Sequence, residues 1–123
     1  MTKKTKDEEF ADLAKYEKRI EFKQFNTFIY VYHPKGFELF KKYFLEKGTL
    51  KKTISGKTIN NGAWVKSNNL TSIIHEASHL TDFIAMAIFP KTLNNTEEFR
   101  AYTTAYIANI WQSFINEIDL QEK

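Results

Sequence analysis

The chain of 123 residues predicts an α+β domain: an amino-terminal helix and a short antiparallel or mixed sheet, followed by two long antiparallel helices. Three observations carry this. Residues between Ile20 and Tyr32 are rich in aromatic and β-branched types, which suit a pleated, half-buried surface. Two turn signals, Ser55-Gly56-Lys57 and Asn60-Asn61-Gly62, bracket short strand-like runs. From Leu70 onward, apolar residues recur with helical period over two long stretches.

Taken in order, residues 1–8 are polar, charged and without periodicity, and are expected to form a flexible tail ahead of a single domain spanning 9–123. A short helix is expected around Phe10 to Arg19. Phe22, Phe25, Phe28, Ile29, Tyr30, Val31 and Tyr32 then predict one hairpin or one long bent strand, with the turn at Asn26-Thr27. His33-Pro34-Lys35-Gly36 is turn chemistry, with His33 expected at the surface, and Phe37, Phe40, Lys41, Phe44 and Leu45 recur at helical spacing until Gly48. Gly62 to Lys66 reads as a strand, placed to serve as an edge that pairs with an extended peptide.

Asn68 or Asn69 can cap the next helix, in which Leu70, Ile73, Ile74, Ala77, Leu80, Phe83, Ile84 and Ala87 form a wide apolar stripe up to Pro90. After the polar residues Lys91 to Asn95, a last helix starts near Thr96 and carries Phe99, Tyr102, Tyr106, Ile107, Ile110, Trp111, Phe114 and Ile118. Trp64 and Trp111 are expected to pack between elements. Composition narrows the function classes. Without cysteine there is neither a disulfide framework nor a thiolate metal site. No apolar run is long enough to span a bilayer, so a soluble, cytoplasmic protein with no membrane partner is expected. The net charge is +3, with lysines gathered between Lys35 and Lys57. No aromatic-basic interleaving accompanies them, so they read as a solvated face and no nucleic-acid partner is expected.

The motif that carries chemistry is His75-Glu76-Ala77-Ser78-His79, in the middle of the first long helix. With three histidines and eleven glutamates in the chain, shuffling would write His-Glu-x-x-His in well under about one case in a hundred. On a helix the two histidines lie on one face, so both imidazoles can reach one Zn²⁺ while Glu76 is aimed at its water. A catalytic zinc takes a third protein ligand. Glu97 and Glu98 open the last helix, and Glu98 is the preferred donor, because Ala101 and Ala105 on its face permit close approach of the motif helix. Asn95-x-x-Glu98 also fits a capping box, in which that carboxylate would serve the helix terminus instead. Asp82 is better placed to support a ligand than to be one. The implied reaction has zinc on His75, His79 and Glu98 lowering the pKa of a water toward about 7, with Glu76 as general base during attack on a carbonyl. Tyr102 is the first candidate to steady the oxyanion, with Tyr106 and His33 behind it.

At these residues the chain resembles a family. IIHEASHLTDFI followed by NTEEFRAYTTAYI is similar to the zincin metallopeptidases of gluzincin type, in which a Glu on a following helix completes the site; eighteen residues separate His79 from Glu98. A strand ending in Trp, a His-Glu-x-x-His helix and a Glu-x-x-Ala-Tyr helix also resemble small zincin-like proteins encoded by tailed bacteriophages and prophages. The resemblance covers Gly62 to Trp111 and lacks the Asn-Glu-x-x-Ser-Asp form of thermolysin-like enzymes. It implies a small zincin-like core, His75, His79 and Glu98 as ligands, Glu76 as general base, and a peptide or protein substrate. The alternative is a structural, assembly or interaction protein on the same scaffold, such as a virion component. There zinc would be structural or absent, an assembly partner would replace the substrate, and the location would be the host cytoplasm or the virion.

Overall fold

The computed structural model describes residues 14–37, 56–88 and 96–123. It is an α+β arrangement in which two helices cover one face of a four-stranded mixed sheet. The strands are β1 (Glu17–Phe22), β2 (Thr27–Tyr32), β3 (Gly56–Ile59) and β4 (Gly62–Val65), in the order β1-β2-β4-β3. β1 and β2 form the expected hairpin, running antiparallel from Glu17 opposite Tyr32 to Phe22 opposite Thr27. A single 3₁₀ turn, Lys23–Phe25, and a left-handed Asn26 at φ 51° join them. Asparagine suits that position because its short polar side chain tolerates the left-handed region better than most. β2 and β4 pair in parallel, and β3 returns antiparallel to β4 through Asn60-Asn61, with Asn60 at φ 54°.

Two local expectations are corrected. Helix was expected through Arg19, but among the described residues of that stretch helix ends at residue 15, and Glu17–Phe22 is a strand. Pairing with the aromatic residues of β2 outweighs the helix propensity of Glu, Lys and Arg, which is worth only tenths of a kcal/mol per residue, about 0.5. Gly56-Lys57 is not a turn but the start of β3, held by Val65 and Trp64 across the ladder. The tail 1–8, the helix expected beyond residue 37 and the segment 91–95 lie outside the described residues.

The two long helices of the described residues are α1 (Leu70–Ile88) and α2 (Thr96–Gln121). Asn69 caps α1, its Oδ1 accepting from the Ser72 amide at 3.1 Å, and so satisfies an amide that the helix itself leaves unpaired. The helices run antiparallel: Asn68, just before α1, bonds Asn116 near the end of α2, while Thr104 donates to Thr81 at 2.9 Å and Arg100 pairs with Asp82. Strand alternation turns Ile20, Phe22, Ile29, Val31, Ala63 and Val65 to the helices. They meet Ile73, Ala77, Leu80 and Ile84 of α1 and Ile107, Ala108, Trp111 and Ile115 of α2 in one core. Trp111 is fully buried, its Nε1 donating to the Tyr32 carbonyl at 2.8 Å. On the opposite sheet face Tyr32 stacks on Trp64, with ring centroids 4.6 Å apart, and Phe37 completes a smaller cluster. Both tryptophans therefore pack as expected. α1 lies over β3 and β4, and α2 over β1 and β2. No helix among the described residues is long and apolar enough to cross a membrane.

Candidate metal centre

The apolar stripe of α1 fixes which way its motif points. Ile73, Ala77, Leu80 and Ile84 are buried in the core, so a 3.6-residue period carries His75 and His79 out to solvent and leaves Glu76 at the flank of the stripe. That flank meets β3. Pairing of Gly56 with Val65 and Thr58 with Ala63 turns Gly56 and Thr58 to the helix side of the sheet. Glu76 is 6% exposed and its Oε1 accepts a hydrogen bond from the Thr58 hydroxyl at 2.9 Å. A buried carboxylate needs such a partner, since its desolvation is otherwise uncompensated.

The two imidazoles stand edge to face, with centroids 4.9 Å apart and Nε2 to Nε2 3.3 Å. That separation has a direct chemical meaning. Two ligands at about 2.0–2.1 Å from a tetrahedral zinc are about 3.3–3.4 Å apart. Each histidine also offers an N–H donor and an acceptor when neutral, so in the absence of an ion one ring can donate to the other. Ligand atoms of His75, Glu76 and His79 all lie within 4.8 Å of one another, and this is the one such group among the described residues. The donor set is therefore suited to a divalent transition metal, with two imidazole nitrogens converging and a carboxylate beside them.

The other sequence-chosen residues stand elsewhere. Glu98 is exposed on α2, lining a shallow hollow with Phe99, Ala101 and Tyr102, and is not gathered with the histidines. The interhelix register explains this. With Thr104 against Thr81 and Arg100 against Asp82, Glu98 sits about 8–12 Å beyond His79 along the helix axes, at about 1.5 Å per residue. Side chains lean toward their own amino terminus, so in antiparallel helices Glu98 and His79 lean apart. Glu97 is likewise exposed and outside the group, and the capping alternative involves Asn95, which is not among the described residues. Asp82, expected to support a metal ligand, is taken up by Arg100.

None of the three candidate oxyanion donors joins the group either. Tyr102 is 76% exposed, and Tyr106, one turn on, leans on Phe22 of β1, the sheet edge opposite the one that holds Glu76. His33, expected at the surface, is buried: its Nδ1 accepts from the Lys35 amide at 3.1 Å and its Nε2 meets Asp119 Oδ1 at 2.6 Å. The strand Gly62–Val65, expected to offer a free edge, is interior, flanked by β2 and β3; among the described strands the outer one beside the motif is β3. Of the lysine cluster, Lys35 and Lys57 are exposed as expected, and Lys35 pairs with Glu122.

Sequence reasoning missed Thr58. The one signal was its alternation with Gly56 on a strand ahead of the motif. Comparison with protein-family models, with curated proteins and with solved structures gives no match, so the site rests on its own geometry.

Proposed function

We propose that this protein is a zinc-dependent hydrolase of the peptidase class, with His75 and His79 holding the ion and Glu76 as general base. The observation that carries the reading is the 3.3 Å separation of the two Nε2 atoms, the spacing that two imidazoles take on one tetrahedral zinc. A bound zinc ion would supply Lewis acidity, polarising a carbonyl and bringing the pKa of water toward about 7. Glu76, adjacent to both nitrogens and held by Thr58, then takes the proton of the attacking water and returns it to the leaving amine. β3, the outer strand beside Glu76 among the described strands, would offer backbone groups to an extended peptide, the role first given to Gly62–Lys66.

Glu98 enters this reading as the third ligand. It is a carboxylate in a chain without thiolates, and neither a hydrogen bond nor an ion pair holds its side chain among the described residues. Joining the ion requires the start of α2 to shift toward His79. A fall of at least about tenfold in zinc affinity is expected in Glu98→Gln, with none in Glu97→Gln; an unchanged affinity in Glu98→Gln leaves a two-histidine site.

The defining experiment is peptide hydrolysis with matched metal content. Glu76→Gln is expected to abolish turnover while zinc stays near one ion per chain. Turnover that survives this change removes Glu76 as the base, and a wild type that takes up no zinc removes the whole reading.

A second reading has its own support. Glu98 outside the histidine group, together with solvent-facing Tyr102 and Met86, suits an assembly or interaction protein whose zinc is structural or absent. Stoichiometric zinc without turnover on any peptide, with a stable protein partner, would favour it.

A further inference from the structure

We propose that Thr58 is the positioning residue for Glu76, so that the general base is oriented by the edge strand β3 rather than by its own helix. This rests on the general-base reading of Glu76 given above. The Thr58 hydroxyl lies 2.9 Å from Glu76 Oε1 and 3.3 Å from the Glu76 backbone oxygen. It has one hydrogen and two acceptors within reach. The shorter contact is to the carboxylate, so the hydroxyl ties Oε1 to β3, and the longer one keeps it over the helix backbone that carries Glu76. A general base has to be held at one place relative to the attacking water, and a bond from a neighbouring strand supplies that hold.

Gly56 completes the hold. It lies on the same side of β3 as Thr58, and a Cβ built there would stand 3.0 Å from both Cγ and Oε2 of Glu76 and 2.8 Å from the Trp64 carbonyl oxygen. Only a residue without a side chain lets the strand backbone come this close to the carboxylate. Thr58 thus fixes one carboxylate oxygen while Gly56 leaves room for the other.

The test uses the full chain loaded with zinc. Thr58→Val keeps the shape and the strand propensity but removes the hydroxyl, Thr58→Ser keeps the hydroxyl, and Gly56→Ala crowds the carboxylate. In Thr58→Val, zinc content should be unchanged and kcat should fall at least about tenfold with KM within about twofold. Thr58→Ser should recover to within about threefold of wild type, and Gly56→Ala should lower kcat without loss of metal. Independently of turnover, the side-chain carboxyl ¹³C resonance of Glu76 should move in Thr58→Val and return in Thr58→Ser. An unmoved resonance, or a kcat loss that serine does not rescue, overturns the proposal. If wild type hydrolyses no peptide, the hydrolytic reading falls. The resonance alone then decides the contact: a shift in Thr58→Val keeps Thr58 as the residue that holds Glu76, and no shift overturns it.

Discussion

His75 and His79 stand exposed on the middle of α1 with their Nε2 atoms 3.3 Å apart, whereas His33 is buried at the end of β2 with both ring nitrogens engaged. Lys35 donates to Nδ1 of His33, which requires that nitrogen to be the acceptor and puts the hydrogen on Nε2, facing Asp119. The contrast teaches what makes a histidine available. A ring with both nitrogens committed holds the end of α2 to the sheet; a pair whose Nε2 atoms meet each other at the surface is open to an ion. Burial points the same way for the carboxylates. Glu76 is shielded and bonded to one hydroxyl, while Asp119 is half exposed and serves a fixed ring.

The largest expected effect lies at the structural end. Trp111 fills the core and donates to Tyr32, next to His33. Its truncation to Ala should cost about 3–5 kcal/mol, read from denaturant unfolding. A cost below about 1 kcal/mol would show that this end is not the anchor described. Next is the metal end. His79→Ala should lower zinc affinity at least about a hundredfold and leave the fold's circular dichroism unchanged, since the ring makes no core contact. His33→Ala should do the reverse, costing about 2 kcal/mol of stability with zinc content untouched. If His33→Ala releases metal and His79→Ala does not, the division between the two regions fails.

The smallest effect is a pH dependence. Burial, then the hydrogen bond and charge of Glu17, raise the Tyr32 phenol well above its usual pKa. The unfolded chain releases that proton at about pH 10 while the folded chain keeps it, so stability contributed below pH 10 is lost as pH rises above it. Unfolding midpoints followed from pH 9 to 11 should therefore fall less steeply for Tyr32→Phe than for wild type. Parallel slopes would remove this contribution.

Much of the scaffold was legible from local pattern. The stripe Ile73, Ala77, Leu80, Ile84 and the Asn69 cap define α1 without reference to the rest of the molecule, and Asn26 and Asn60 mark the two turns with the residue type that tolerates a left-handed backbone. The first half of β1, Glu17–Arg19, was not legible as strand, because charged residues with helix propensity are overruled there by pairing with β2. Nor was the interior position of β4, because strand order depends on partners distant in sequence.

At the candidate site the same division holds. Spacing alone determined that His75 and His79 share a helix face with Glu76 beside them, because a 3.6-residue period is a property of the backbone. Only the tertiary structure decided that Thr58 and Gly56 meet Glu76, that His33 is spent on Asp119, and that Glu98 stands apart from the histidines. Each of these depends on the register between elements far apart in the chain, and that register is set by packing of the whole core rather than by any local pattern.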